Sequence, residues 1–262
     1  MIKSLYTSAT GMTAMSENVN VISNNLANVS TTGFKRSVAE FQDLLYQTTR
    51  VPGTETPQGS QEPAGIQVGV GTKLAAVAKD FTQGDLTQTN NNLDVAIQGR
   101  GFFQITQPDG TIAYTRSGNF QMDNSGQIVT VGGAPLNPSV RIPSNATSVT
   151  ISNSGAVSVL QPGSVTPAVV GQIELADFVN PAGLTSQGGN LYNQTAASGT
   201  PLIGMPGTQE FGQLNQGFTE TSNVNVVTEL TNLILAQRAY EMNSKGITTS
   251  DQMMQTATAL KT

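Results

Sequence analysis

Both ends of this chain carry apolar residues at seven-residue intervals, and the long stretch between them does not. Seven-residue spacing places one narrow apolar seam along a helix, and such a seam needs a partner to cover it. We therefore predict two terminal helices, from about Ile2 to Asn28 and from residues 223–225 to about Leu260. The repeats are Leu5, Met12, Val19 and Leu26, with Met15 and Ile22 between them, and Val226, Leu233, Tyr240, Ile247 and Met254.

The partner of each seam lies either within the chain or on another copy of it. An antiparallel pair of the two helices would cover both seams internally, and this alternative stays open. Only 11% of the residues are charged, against about 25% in an ordinary soluble domain. Copies of such a chain repel each other weakly, so close stacking is permitted. We therefore expect neighbouring copies to complete the terminal helices, as in a polymerising subunit.

The centre of the chain, residues 74–205, has the pattern of short β-strands. Runs of β-forming residues such as 93–97 and 102–105 alternate with turn signals at 108–110, 123–126, 132–133 and 153–155. This rhythm predicts antiparallel hairpins in a sandwich or barrel-like domain. The sequence shows no regular alternation of strands with helices, and this excludes the doubly wound nucleotide-binding folds. The predicted fold class is α+β, with a coiled-coil-like pair of terminal helices and a β-rich antiparallel centre.

Closely spaced prolines and glycines lie between the first helix and the β-rich centre, from Pro52 to Pro63. No regular element is expected to survive that spacing, so we predict an extended arm or long loop at about residues 47–66. A disordered linker is the alternative. The predicted domains are a terminal helical inner core (1–30 and 223–262), a connecting region with the arm (31–73 and 206–222) and a β-rich outer domain (74–205).

The residue types that carry most enzyme chemistry are missing from the chain. It has no histidine and no cysteine, which excludes Ser-His-Asp and Cys-His nucleophiles and the usual zinc sites. The remaining carboxylate candidates are Asp80 with Asp85, and Asp94 beside Arg100. We interpret each of them as a turn residue or a solvated partner. We therefore predict no catalytic residue, no metal site and no cofactor, and a protein that is not an enzyme.

The charge and hydropathy patterns exclude two classes of partner. The formal net charge is −5, and no Lys or Arg occurs between Arg141 and Arg238, which argues against nucleic acid. No stretch approaches the ~18 apolar residues of a membrane span, so we predict no membrane insertion. The residues after Lys3 form no continuous apolar run, so a cleaved signal peptide is not expected.

Four segments of the chain form long motifs: NNLANVSTTGFKR at 24–36, DVAIQGRGFF at 94–103, YTRSGNF at 114–120, and QRAYE followed by NSK at 237–245. They closely resemble the signature motifs of bacterial flagellar rod and hook proteins. The segments are long and spread over nearly the whole chain, which is therefore identified as a member of that family. The motif residues that we single out are Asn24, Asn25, Asn28, Gly33, Phe34, Gly99, Gly101, Phe102, Gln237, Arg238 and Tyr240.

Within the family, segments 43–48 and 220–226 look most like those of distal rod subunits. A proximal rod or hook-type axial protein is the alternative within the family, and a secreted β-rich fibre or adhesin subunit is the alternative outside it. The resemblance implies export through the flagellar type III gate without a cleaved leader. It further implies a helical polymer that crosses the periplasm within the flagellar basal body and transmits motor torque to the hook.

The resemblance also implies the partners of the chain, while the residues themselves suggest the surfaces that meet them. The partners are further copies of the chain, proximal rod proteins, the hook protein, the peptidoglycan and outer-membrane ring proteins, and the rod cap. Residues with restricted backbone angles in the arm, Pro52, Pro57 and Pro63, are expected to stiffen the rod. The terminal helices are expected to contact neighbouring subunits through Leu5, Met12, Met15, Val19, Ile22, Leu26, Val226, Leu230, Leu233, Tyr240, Ile247 and Met254.

Overall fold

The computed structural model describes residues 2–52, 64–164, 166–208 and 210–259. The chain divides into two compact units. We call Met1–Ala27, Ser37–Ala78 and Asn225–Thr262 the helical unit. We call Asn28–Arg36 and Lys79–Val224 the β unit. The α+β fold class predicted from the sequence is confirmed, since two terminal helices bracket an antiparallel β-rich centre.

The helical unit is built on two long helices, α1 (Ile2–Ala27) and α2 (Val226–Ala259). They have 26 and 34 residues, which at ~1.5 Å rise per residue gives lengths of roughly 39 and 51 Å. The start of α2 is fixed by Asn225, whose Oδ1 accepts a hydrogen bond from the backbone N–H of Thr228 at 3.1 Å. This bond satisfies one of the backbone donors that a helix leaves unpaired at its first turn.

Four strands complete the described part of the helical unit: β1 (Ser37–Asp43), β2 (Tyr46–Arg50), β3 (Ile66–Gly69) and β4 (Thr72–Lys79, which ends in the β unit). Strand β1 pairs with β4, and β2 pairs antiparallel with β3. The two ends of the predicted arm are therefore regular strands, contrary to the expectation that residues 47–66 hold none. The reason is that the prolines and the closely spaced glycines lie between β2 and β3, so both flanking segments keep their backbone donors free for pairing.

The β unit contains sixteen short strands among the residues that the structure describes. They are β5 (Leu86–Gln88), β6 (Val95–Gln98), β7 (Phe102–Thr106), β8 (Ile112–Thr115), β9 (Gln121–Met122), β10 (Ile128–Val129), β11 (Leu136–Asn137), β12 (Ser148–Ile151), β13 (Ala156–Leu160), β14 (Ala168–Gln172), β15 (Leu175–Asp177), β16 (Thr185–Gly188), β17 (Leu191–Asn193), β18 (Leu202–Gly204), β19 (Gln213–Gln216) and β20 (Phe218–Glu220).

These strands pair antiparallel into one large sheet and several small ones. The seven-stranded sheet has the order β16-β17-β8-β7-β15-β18, with β11 also paired to β7. Strands β12, β13 and β14 form a second sheet, while β19 pairs with β6, β10 with β9 and β20 with β5. The β20–β5 pair places the segment that leads to α2 beside the segment that enters the β-rich centre, with Glu220 opposite Leu86.

Two apolar clusters hold the β unit together. The larger combines β-branched and aromatic side chains from the sheets, among them Val95, Phe103 and Val157, which are fully buried. The smaller is aromatic: Phe102, Tyr114, Phe178 and Tyr192, with Phe81 packed against them, and its rings meet edge to face with centroids 4.8–6.2 Å apart. Edge-to-face packing aligns the positive ring edge with the negative face, so these contacts fix ring orientation as well as burying area.

Candidate functional site

Small and polar residues form the seam between α1 and α2. The hydroxyl oxygens of Ser4 and Ser250 lie 3.3 Å apart, and Ala14 and Ala236 are both buried. A Cβ on Gly11 would lie 2.9 Å from the amide nitrogen of Asn243. The absence of a side chain at Gly11 therefore permits close approach of the helices at this level. The intramolecular pair is thus held partly by contacts that need no large apolar side chain.

Asn25, a motif residue near the end of α1, connects this helix to both β1 and α2. Its Nδ2 donates to the backbone oxygen of Ser37 at 2.8 Å, and its Oδ1 accepts from the backbone N–H of Ser37 at 2.8 Å. The same Nδ2 lies 3.4 Å from Oε2 of Glu229, which is buried on α2. A polar residue in a helix seam disfavours other registers, because a shift would leave its buried groups unpaired.

The predicted interface residues differ in how far their side chains are exposed to solvent within the isolated chain. Ile22 is buried, and Val226, Leu230 and Tyr240 are 40–43% exposed. The remaining residues are half-buried: Leu5, Met12, Met15, Val19, Leu26, Leu233, Ile247 and Met254. The heptad column on α2 that carries the predicted residues is therefore the less buried one. The parallel column is buried at Glu229, Ala236 and Ser250.

In the first half of α2, residues 226–242, four further apolar side chains are exposed, and the sequence pattern used above did not select them. They are Val227 (73% exposed), Ile234 (57%), Leu235 (62%) and Met242 (69%). Val227 and Ile234 are seven residues apart, and so are Leu235 and Met242, so the signal that could have found them is a second pair of seven-residue columns. We call these four residues together with Val226 and Leu230 the α2 apolar surface. Exposed apolar patches of this kind mark interaction sites in soluble proteins.

Gly33 and Phe34, at the end of the N-terminal motif, lie in the β unit. Gly33 has φ +70° and its N–H donates to the carbonyl oxygen of Glu220 at 2.8 Å. A Cβ there would lie 2.6 Å from the backbone nitrogen of Ser117, so only glycine fits. Phe34 is buried beneath the Lys79 ammonium, which lies 4.6 Å from its ring centroid. The motif thus joins three separate segments of the β unit.

Lys35 and Glu220 form a fully buried ion pair that the sequence did not predict. Their Nζ and Oε1 atoms are 2.6 Å apart, and both side chains are 0% exposed. Lys35 Nζ also donates to the backbone oxygen of Thr82 at 2.6 Å, and Glu220 Oε1 accepts from the N–H of Gly84 at 2.9 Å. Arg116 adds a second buried cation, with Nε 3.6 Å from Glu220 Oε2. Nothing in a single sequence pairs residues so far apart.

Burial shifts the pKa of three groups in this ionic cluster, in each case in the direction that favours the neutral form. Desolvation lowers the pKa of Lys35, although the adjacent Glu220 carboxylate opposes the shift. Desolvation likewise lowers the pKa of Arg116, again opposed by Glu220. Burial, with the nearby Glu220 charge, raises the pKa of Tyr192 to about 12. The cluster therefore holds its charges in an environment that water hardly screens.

The internal motif forms the turn beside this cluster. Gly99 and Gly101 have φ of +113° and +123°, a region that favours glycine. Between them Arg100 reaches Asp177 with an Nη2–Oδ2 distance of 2.9 Å. Phe102 is buried, with the Arg116 guanidinium 5.7 Å from its ring centroid. The motif glycines thus set a backbone path that presents one arginine outward while Phe102 packs against another.

The other motif residues lie on or near the helices. Asn24 is exposed on α1 and Asn28 is half-buried just after it, with Oδ1 3.3 Å from the hydroxyl of Thr31. On α2, Gln237 is exposed, and Arg238 pairs with Glu241 at 3.0 Å on the helix surface. An exposed pair at this spacing contributes a few tenths of a kcal/mol. The Arg238–Glu241 pair therefore contributes little to the stability of the subunit, and its side chains are exposed on the surface.

Of the predicted arm residues, only Pro52 falls within the described part of the chain. It is exposed in a turn that follows β2. Pro57 and Pro63 lie outside the described residues. The paired strands beside the arm are exposed at every residue of both β2 and β3.

Two of the three carboxylates considered for catalysis, Asp80 and Asp94, have structural partners. Asp80 pairs with Arg36 at 3.0 Å, and Asp94 accepts hydrogen bonds from the Thr89 hydroxyl at 2.6 Å and from Asn91 at 3.0 Å. Arg100 pairs with Asp177 and not with Asp94. Among the described residues, no group of three or more acidic, His or Cys side chains could hold a metal ion. In the same part of the chain, no helix has the length and hydropathy that a bilayer-crossing segment requires.

Three family models match the chain in order along its length. They are "Flagella basal body rod protein" at residues 5–35, "Flagellar hook protein FlgE/F/G D1 domain" at residues 96–159 and "Flagellar basal body rod FlgEFG protein C-terminal" at residues 215–260. The first and third contain most of α1 and α2, while the second covers the part of the β unit that holds Phe102 and Arg116. The models thus match both units.

Full-length relatives agree with the family models. The flagellar basal-body rod protein FlgG of Buchnera aphidicola subsp. Acyrthosiphon pisum is 52% identical over 97% of this chain and 98% of its own length. FlgG of Caulobacter vibrioides is 51% identical over 99% of this chain and 100% of its own. The flagellar hook protein FlgE of Escherichia coli is 25% identical over 96% of this chain and 98% of its own. The chain belongs to the flagellar basal-body rod protein family.

Proposed function

We propose that this chain polymerises helically into the distal part of the flagellar rod and transmits motor torque to the hook. Its role as a structural rod subunit follows from full-length relatives at about 50% identity that carry the rod protein name. The observation that supports polymerisation is the α2 apolar surface. Large apolar side chains stay exposed on a helix whose seam with α1 includes contacts between small and polar residues.

The energetics of that surface favour repeated contacts over a single pairing. Full burial of Val227, Ile234, Leu235 and Met242 would contribute roughly 1.5–3 kcal/mol each, or roughly 6–12 kcal/mol together. Forming one complex costs about 4–15 kcal/mol in lost translational and rotational freedom. A single contact between two copies therefore gains little. A helical lattice repeats the contact on every subunit, so addition to an existing end is more favourable than formation of a dimer.

The proposed plan places the terminal helices (1–30 and 223–262) at the core of the polymer and the β-rich domain (74–205) outside. The interface would comprise the predicted heptad residues together with the α2 apolar surface. The low charge of the chain, 11% of residues, supports dense packing because neighbouring copies repel each other weakly. In this plan the protein acts through shape and stiffness, without a catalytic residue or cofactor.

The proposed partners beyond further copies are the proximal rod proteins, the hook protein, the peptidoglycan and outer-membrane ring proteins, and the rod cap. We propose that subunits reach the periplasm by the flagellar export route without losing a leader. The acidic balance, with a net charge of −5, supports protein partners rather than nucleic acid.

A two-residue change on α2 tests polymerisation. Replacing both Val227 and Ile234 by Gln keeps helix propensity high but removes two exposed apolar side chains. We expect straight tubular polymers from the unmodified full-length chain in electron microscopy, and only dispersed subunits from the double variant. The matched control is Val179→Gln, which changes an 81% exposed valine of the β unit. Circular dichroism of each variant shows whether the helices remain folded.

The outcomes of this experiment separate the alternatives. Polymers of unchanged length and number from the double variant would contradict the proposed contact. Curved tubes from the unmodified chain would indicate a hook-type axial protein instead of a rod subunit. If neither protein polymerises, adding isolated basal bodies as seeds decides whether growth needs an existing end. Failure on seeds would refute the polymer.

We also propose that the arm stiffens the rod by wedging between neighbouring subunits. The support is that Pro52 restricts the chain just beyond β2, and that both paired strands are exposed along their whole length. An isolated two-stranded ribbon is marginal in water and gains stability when another surface covers it. Rods that lack residues 50–64 should bend more in electron micrographs. Equal straightness of the two kinds of rod would contradict this proposal.

A further inference from the structure

A cavity of about 370 Å³ opens on the β unit beside the internal motif. Its lining includes Phe81, Phe102, Arg100, Arg116 and Asp177. Small-ligand sites in proteins have volumes of about 300–1,000 Å³ and combine apolar walls with a few convergent polar groups. This cavity has both features, since two phenyl rings with centroids 5.4 Å apart stand beside two guanidinium groups.

Arg116 supplies a buried donor without a partner. Its side chain is 4% exposed; Nη2 donates to the backbone oxygen of Gly99 at 2.7 Å, and Nε faces Glu220. Nη1 is shielded from solvent and has no hydrogen-bond partner among the described residues. A buried donor left unpaired costs about 1–3 kcal/mol, and more when it is charged. Arg116 is among the residues that line the cavity, so a group that enters there meets a guanidinium whose donors are not all satisfied.

The charged residues around the cavity indicate the sign of the charge that an entering group should carry. Arg100, Arg116 and Asp177 line the cavity, and the buried Lys35–Glu220 pair lies behind Arg116, which contacts Glu220. Together these groups carry three positive and two negative charges. One positive charge is therefore left over. Arg100 is 67% exposed and, within the described part of the chain, engages its partners only through Nη2. A second guanidinium is thus accessible to an anion that enters from solvent.

We propose that this cavity binds a carboxylate on a short apolar stem, which accepts hydrogen bonds from Arg116 and Arg100 while its methylenes pack against Phe81 and Phe102. Planar carboxylates match the fork of an arginine, and ion pairs of this kind are strongest where water is excluded. Two sources carry this chemistry: the side chain of an acidic residue on a second copy of the chain, and a free dicarboxylate such as glutarate. The second-copy source rests on the proposed polymer, whereas the site itself does not.

Calorimetric titration of the full-length chain with glutarate tests the site. We expect saturable binding, no binding of the neutral analogue glutaramide, and a shift of the Arg116 side-chain resonance in ¹⁵N NMR. Because Arg116→Gln disturbs a buried cluster and risks unfolding, the decisive variant is Arg100→Gln, whose side chain is largely exposed. Loss of one charged hydrogen-bond partner should weaken glutarate binding roughly tenfold or more. The matched control Arg141→Gln, at another exposed arginine of the β unit, should bind as the unmodified chain does.

Several results would overturn the assignment. They are an unmoved Arg116 resonance, equal binding of glutaramide, and unchanged affinity in Arg100→Gln. Displacement of glutarate by an equal concentration of inorganic phosphate would refute carboxylate recognition. The source is then decided by polymerisation: glutarate should slow it for the unmodified chain but not for Arg100→Gln if a neighbour's acidic side chain fills the cavity. Unchanged polymerisation with glutarate bound identifies a small-molecule site. The titration uses free subunits, so it tests the site even if the chain fails to polymerise.

Discussion

The buried ion pair of the β unit makes a strong prediction about stability. In Glu220→Gln the carboxylate charge disappears while Lys35 and Arg116 remain buried at 0% and 4% exposure. The new amide can still accept from Lys35 and from the Gly84 N–H, but its own NH₂ would face the Arg116 donor. Removing one partner of a buried pair costs about 3–5 kcal/mol, because the charge left behind is uncompensated. For a unit of this size that corresponds to a fall in Tm on the order of 10 °C.

The expected loss differs between the two partners of the pair. In Lys35→Met the Glu220 carboxylate keeps its contact with Arg116 at 3.6 Å, and the Thr82 carbonyl keeps the Asn223 amide donor at 3.1 Å. We therefore expect a smaller loss, about 1–3 kcal/mol. In the double variant only one cation remains uncompensated, so the loss should be smaller than the sum of the single losses.

Urea unfolding of the full-length chain measures these free energies. The chain has no tryptophan, so tyrosine fluorescence is the intrinsic probe, and two of the five tyrosines, Tyr114 and Tyr192, report on the β unit. The matched control is Glu210→Gln, which removes an exposed carboxylate of the same unit and should change the free energy by less than about 0.5 kcal/mol. A loss below about 1 kcal/mol in Glu220→Gln, or additive losses in the double variant, would refute the account of an uncompensated buried charge.

Three further predictions concern other parts of the chain. Because burial raises the pKa of Tyr192 to about 12 in the folded state, the contribution of its neutral hydroxyl to stability should be complete below about pH 10 and lost by about pH 12. Tyr192→Phe should therefore remove roughly 2–3 kcal/mol of the alkaline loss of stability in unfolding titrations. Gly118→Ala places a Cβ 1.7 Å from the backbone oxygen of Val95 and should cost about 3 kcal/mol. Gly132→Ala, whose Cβ would lie in ordinary contact 3.9 Å from the Thr130 hydroxyl, should be near neutral by the same urea assay. Gly11→Ala meets only the end of a flexible amide, so its gain in helix propensity of about 1 kcal/mol should offset the contact, and circular dichroism should show little change in thermal stability.

The helices and turns could be predicted from the sequence because their causes are local. The seven-residue pattern predicts the first helix over about Ile2–Asn28, and α1 is observed at Ile2–Ala27. The second helix is predicted to start at 223–225, and α2 begins immediately after Asn225, which caps it. The turn signals also hold, since Gly110 and Gly126 adopt φ near +80°, as short turns demand. Seven-residue spacing, caps and glycine turns are each read from a few adjacent residues.

The partners of those elements could not be predicted, because they depend on contacts between distant residues. A seven-residue repeat shows that a helix has a seam but does not reveal which column meets the partner helix. The buried column of α2 proved to be Glu229, Ala236 and Ser250, which are too small or too polar to register as an apolar stripe. In the same way, nothing near Lys35 in the sequence shows that it is buried, and only the folded structure places Glu220 beside it.

Family membership is predicted from four motifs and is confirmed by the family models and by the full-length relatives. The structure adds a physical reason for several of the motif residues. Gly33 allows backbones to meet where a Cβ would collide, and Asn25 bridges α1, β1 and Glu229 through hydrogen bonds. Tyr240 is 43% exposed and has no such role within the described part of the subunit; it belongs to the proposed interface between subunits. Gln237 is likewise exposed.

The hydrogen bond from the Gly33 N–H to the carbonyl of Glu220 affects the order in which the chain folds. If α1 and α2 met first, they would close a loop from Ala27 to Val226, which costs on the order of 5 kcal/mol in chain entropy. Once the β unit has folded, that bond leaves only two short connections to close, and the entropy cost falls by roughly 2–3 kcal/mol. We therefore expect α1, although synthesised first, to find its partner last, so that a subunit becomes complete at its ends only after its centre has folded.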